Sequence, residues 1–172
     1  MPIDDESVLG RVFDDSGSDS HDAGPAVDRI RRLVTTQPYG VLCTQGEDQA
    51  YGSLVAFAFS EDLQTAVFAT PVATRKYRLL SEHERVALLV DDRPEFPNDM
   101  MRVEAVTATG RAVEIKAAAL FAECSDLLLA RHPYLRSFVT ADSCALFRIE
   151  ITRFFHVSRF QEVKQWVPRN PS

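Results

Sequence analysis

The sequence lacks most of what would tie a protein to a membrane, a metal or a nucleic acid. No apolar run in its 172 residues approaches the length of about 20 needed to cross a bilayer. The N-terminus is acidic and has no apolar core, so no secretory signal is expected and a cytoplasmic location is. Cysteine is scarce: Cys43, Cys124 and Cys144 lie far apart, odd in number and without CxxC or zinc spacing. Their apolar neighbours predict buried free thiols in a reducing compartment. The four histidines, His21, His83, His132 and His156, are scattered without an HxxxH pair or a carboxylate-rich cluster. No metal site is expected from them. Neither GxSxG nor a paired Cys/His signature is present, so covalent catalysis has no candidate and no catalytic residue is named.

Excess positive charge is also missing. The net charge is −6, and it is confined to one place. Residues 1–24 hold seven acids (Asp4, Asp5, Glu6, Asp14, Asp15, Asp19, Asp22) against one base, Arg11. The other 148 residues hold 18 acids and 18 bases. A neutral body with an acidic tail argues against a broad nucleic-acid footprint.

What is present is an ordinary globular composition, 45% hydrophobic and 26% charged, long enough for one domain with a real core. Residues 1–24, rich in Asp, Ser and Gly, read as a disordered tail unless Val8, Leu9, Val12 and Phe13 dock on something. Residues 25–172 read as a single domain. Val27, Ile30, Leu33 and Val34 fall at helical spacing with Arg29, Arg31 and Arg32 between them. Strand-like text follows at Tyr39 to Thr44, Tyr51 to Ser60, Ala66 to Ala69 and Arg85 to Val90. YGSLVAFAFS is apolar on both faces, as a doubly buried strand would be. Arg102 to Ile115 suits a long strand with a bulge at Gly110. Ala117 to Arg131 reads as a helix and Ala145 to Val157 as an alternating strand. The fold class is mainly β with inserted helices: six to seven mostly antiparallel strands, two to three helices, bent toward a small barrel.

One stretch invites chemistry. In FATPVATRKYRLL, a strand ends in small residues and Thr74, Arg75 and Lys76 arrive where a helix begins. A helix start carries unpaired N–H groups and partial positive charge, and Thr74 can cap it. Hydroxyl, amides, guanidinium and ammonium together suit a phosphate. The same residues equally describe a solvated helix that happens to begin with charges.

With its neighbours, this stretch resembles the pyridoxamine 5′-phosphate oxidase-like, FMN-binding split-barrel superfamily. The resemblance runs from TTQPYGVLCT through YGSLVAFAFS, AVFAT and TRKYRLL to ERVALLV, and it rests on order and spacing. It implies a split β-barrel and a homodimer with FMN at the subunit interface. It further implies that Thr74, Arg75 and Lys76 hold the phosphate, with Ala69 and Thr70 beside it. Ser53, Leu54, Val55 and Ala56 would run along the isoalloxazine edge with their backbone groups. The chain departs from the pyridoxamine oxidases proper. Ser53 stands for their arginine, Ala58 for a lysine and Ala105 for a glutamine, and their C-terminal Arg/His pattern is not found in RFQEVKQWVPRNPS. The resemblance therefore implies an FMN-binding protein, with flavin-dependent oxidoreductase potential on an unknown small-molecule substrate, rather than a vitamin oxidase. The alternatives are a haem-binding split barrel using His156, a deazaflavin-dependent one, or a non-catalytic binding protein. Trp166 is expected to pack on its own barrel.

Overall fold

The computed structural model describes residues 12–13, 20–159 and 162–168, with side chains from Gly24 onward. Most of the N-terminal tail, including Val8 and Leu9, lies outside these residues. The elements in chain order are β1 (Val12–Phe13), α1 (Ser20–Thr36), β2 (Tyr39–Gly46), β3 (Gln49–Phe59), β4 (Thr65–Pro71) and α2 (Arg75–Glu82). There follow β5 (Arg85–Asp91), β6 (Ala105–Glu114), α3 (Ala118–Arg131), α4 (Arg136–Val139), β7 (Cys144–Ser158) and β8 (Glu162–Trp166). The strands form one sheet in the order β1-β8-β7-β4-β3-β2-β5-β6, and β6 pairs back onto β7. Six antiparallel strands thus close a barrel, the split-barrel fold expected from the sequence. Two shorter strands extend it: β8 beside β7, and β1 in parallel beside β8.

β7 makes this closure possible. Along one edge it pairs with β6 over nearly its whole length. Its other edge serves β4 from Cys144 to Glu150 and β8 from Phe154 to Ser158. The β6–β7 register shifts between Thr109 and Gly110, the bulge anticipated at this glycine. A Cβ on Gly110 would lie 2.3 Å from the Glu150 carbonyl oxygen, so only glycine fits that approach.

The barrel interior is filled by alternate residues of its strands. Phe68 stacks on Phe147 at 5.4 Å between ring centroids, and Phe154 on the buried Trp166 at 5.4 Å. Ile30, Leu33 and Val34, at the helical spacing noted above, are wholly buried in this core. Helix α1 begins at Ser20, with Pro25 inside it. Its arginine face is held by acids: Arg32 meets the buried Asp92 at 3.0 Å and Arg29 meets Glu104 at 3.3 Å. A second, outer cluster forms where α3 lays Cys124, Leu128 and Leu129 on Ala58, Val67 and Leu146. Arg131 ties the layers, donating to the carbonyls of Val34 and Gln37 and lying 4.8 Å over the Phe57 ring.

Two expectations change. β3 is buried on both faces only in its second half, where α3 covers Ala58; Leu54 in its first half is 69% exposed. The cysteines are free, but only Cys124 is buried, while Cys144 is half-buried and Cys43 is exposed on the outer face of β2. The apolar text around Cys43 and Leu54 marks a sheet face that no helix among the described residues covers. The strand β8, in EVKQW, was not anticipated.

Candidate functional site

The site begins with a gap in the barrel ladder. β2 pairs with β3 along Tyr39–Ala56 to Gly46–Gln49, but β3 pairs with β4 only from Phe57 to Phe59 against Ala66 to Phe68. Ser53, Leu54, Val55 and Ala56 therefore have a ladder partner on one edge and none on the other among the described residues. Continued in register, Val55 would face Thr70. Backbone N–H and C=O groups along an open strand edge are strong, directional donors and acceptors. Val55 turns its side chain into the core and Leu54 turns outward, so this segment offers mainly backbone to the gap. The Ser53 hydroxyl reaches the Leu42 carbonyl only at 3.5 Å.

Where β4 ends, the chain turns into α2 and brings the hydroxyl cluster with it. Thr74 caps the helix, accepting from the Tyr77 N–H at 3.2 Å, while its hydroxyl lies 2.8 Å from the Pro71 carbonyl. The Thr70 hydroxyl, fully buried, lies 3.0 Å from that of Thr74. The N–H groups of Arg75 and Lys76, the first two of the helix, stay outside its internal ladder. Ala69 is half-buried just before them.

The two cations differ. Arg75 is exposed, 3.4 Å from Glu47 and 5.4 Å over the Tyr51 ring. Arg78, one turn on, meets the other oxygen of Glu47 at 2.9 Å. Lys76 is half-buried and has neither hydrogen bond nor ion pair among the described residues. Burial lowers its pKa below the ordinary lysine value. An ammonium held partly out of water without a counter-ion is a place where an anion is welcome. Sequence reasoning found Thr74, Arg75 and Lys76 but missed Glu47 and Arg78. The i, i+3 spacing of the arginines could have signalled the second; the first depends on where the hairpin tip lands.

The outer face of β2, β5 and β6 lies open beside the gap. Paired residues share a side of the sheet, so Val41, Leu54 and Leu89 form one apolar row. A broad groove of about 840 Å³ is lined among others by Cys43, Ala87, Thr109, Arg111 and Glu150, and by none of Ser53 to Ala56 or Ala69 to Lys76.

The histidines stand apart. His156 is 1% exposed, with Nε2 bound to Glu104 at 2.8 Å. Burial pushes its pKa down, against the pull of Glu104 upward. It is a core residue rather than an open ligand. His132 is buried too, with Nε2 2.9 Å from the Phe57 carbonyl. No group of three His, Cys, Asp or Glu side chains among the described residues could hold a metal ion. No helix among them is long and apolar enough to cross a membrane.

Comparison with known proteins bears on this arrangement. The sequence model of the pyridoxamine 5′-phosphate oxidase family matches residues 26–158, more than three quarters of the chain. No curated protein matches. A haem-binding protein from Mycobacterium smegmatis superposes with a TM-score of 0.74 at 16% identity, covering 83% of this chain and 58% of that one. ChuZ from Campylobacter jejuni gives 0.71 at 7% identity, covering 83% and 59%. HutZ from Vibrio cholerae, described as a haem storage protein, gives 0.63 at 12% identity, covering 72% and 88%. The chain thus spans under two thirds of the first two proteins, and at these identities the likeness is one of fold.

Proposed function

Because this chain belongs to the pyridoxamine 5′-phosphate oxidase family, we propose that it binds FMN non-covalently in the gap between β3 and the start of α2. The observation that carries this reading is the half-buried Lys76, without a partner among the described residues, following the Thr70 and Thr74 hydroxyls at a helix start that succeeds an unpaired stretch of the β3–β4 ladder. Thr74, Arg75 and Lys76, with the two helix N–H groups, would take the phosphate, flanked by Ala69 and Thr70. Ser53 to Ala56 would offer backbone groups to the polar edge of the ring. Bound flavin would supply hydride or electron transfer, and the protein's part is to hold and orient it and to shape access for a small-molecule substrate. No side chain of the site is assigned as an acid or base.

The row of exposed Leu54 between half-buried Val41 and Leu89 fits a homodimer interface that would complete the cofactor site. Free thiols in all three described cysteines accord with a cytoplasmic protein. The test is an absorption spectrum of the purified chain, before and after reconstitution with FMN. Flavin bands that stay with the protein on gel filtration are expected; a colourless protein that retains no flavin would overturn the reading.

Haem is the second reading, favoured by the haem-binding descriptions of the structural neighbours. It does not run through His156, whose ring is 1% exposed with Nε2 taken by Glu104. On this reading haemin produces a Soret band that survives His156→Ala.

A further inference from the structure

The proposed phosphate site already contains an anion, and the chain supplies it. Glu47 and Asp48 form the two-residue tip of the β2–β3 hairpin, with φ of 55° and 57°. Two successive left-handed residues are what the tight type I′ hairpin turn requires. The turn fixes the Glu47 backbone beside α2. One carboxylate oxygen then reaches Arg78 at 2.9 Å and the other reaches Arg75 at 3.4 Å. From the same hairpin, Tyr51 lies under the Arg75 guanidinium. Arg75 is thus engaged by a carboxylate and a ring of one hairpin, while Lys76, the next residue, has no partner among the described residues.

We propose that Glu47 is a built-in competitor for the phosphate of the ligand, setting how strongly the site prefers phosphorylated over unphosphorylated flavin. This inference rests on the flavin reading. A phosphate seated at Thr74 and Lys76 must share Arg75 with Glu47 or draw it away. Either way a dianion is brought close to a carboxylate, and the repulsion falls on the phosphate alone. A flavin without a phosphate meets no such penalty. The contact of 3.4 Å to Arg75 is the weaker of Glu47's two, so Arg75 is the cation that can be released while Arg78 keeps the hairpin tip in place.

The experiment measures dissociation constants for FMN and riboflavin by quenching of flavin fluorescence, in the unaltered chain, Glu47→Gln and Glu47→Asn. Asparagine tolerates the left-handed backbone better than glutamate, so the second variant guards against a turn defect. Both variants are expected to bind FMN about three- to ten-fold more tightly, with riboflavin unchanged and the gain shrinking as salt rises. Adding Arg75→Ala to Glu47→Gln should cancel the gain. FMN bound equally or more weakly by both variants, with the unaltered chain binding FMN, would make Glu47 a brace and overturn the proposal alone. An unaltered chain that binds neither flavin would overturn the flavin reading, and the proposal with it.

Discussion

Lys76→Met separates two quantities that a merely structural lysine would move together. The ammonium is half-buried with no counter-charge among the described residues, and burial lowers its pKa. The folded chain therefore holds that proton less well than the unfolded chain. The cost is present at neutral pH, where both states are protonated, and is relieved as pH rises through the lowered folded value toward the ordinary lysine range. Methionine keeps the stem and its packing but removes the charge. Discounted for solvent screening, the gain in stability without ligand is below about 1 kcal/mol, or up to ~3 °C in Tm for a chain of this size. Affinity moves the other way. A charged hydrogen bond to a phosphate is worth about 1.5–3 kcal/mol, so FMN should bind roughly ten- to a hundred-fold more weakly. Riboflavin, without the phosphate, should be affected by no more than about two-fold. Differential scanning calorimetry gives the first quantity and fluorescence titration the second. Equal losses for the two flavins, or a fall in Tm beside unchanged FMN affinity, would refute the reasoning.

Three further outcomes can be checked. Gly110→Ala puts a Cβ against the Glu150 carbonyl at 2.3 Å and should cost about 2 kcal/mol or more in chemical denaturation, since backbone must move. Because burial depresses the His156 pKa, the unfolded chain takes up this proton first on acidification. Stability should fall as pH drops below the ordinary histidine value of 6.5 toward the depressed folded one, and denaturation curves of His156→Gln should show a smaller fall over that range. Leu54→Asp places a charge on a side chain already 69% exposed in the single chain, so monomer stability should shift by less than about 0.5 kcal/mol. If the outer row is a dimer interface, light scattering will show the variant monomeric where the unaltered chain is dimeric.

Much of the fold was legible because its signals are local. The arginine and apolar rows of α1, the Thr74 cap and the alternation of β7 are each set by a few neighbouring residues, and the structure follows them. The cation pair at the start of α2 was readable for the same reason. What the sequence withheld depends on distant partners. Whether Leu54 and Cys43 are buried turns on which helix reaches them, and α3 stops short. Glu47 meets Arg75 and Arg78 only through the register of a hairpin tip. His156 finds Glu104 fifty-two residues away, which no spacing rule could connect. The short β8, EVKQW, has apolar residues only at Val163 and Trp166 and so lacks the period-two alternation that marks a strand.

The shared edge of β7 has a consequence in time as well as in space. Five of the six barrel strands precede it in the chain, yet none of them can bridge β4 to β6. Until residues 144–158 are available, the growing chain can form no more than a five-stranded sheet with β4 and β6 as open edges, and open edges can recruit a foreign strand. Closure is then a single late event joining partners as far as 85 residues apart, Thr65 and Glu150. Such long-range pairing folds slowly, so the interval before β7 docks is when this protein is most exposed to aggregation.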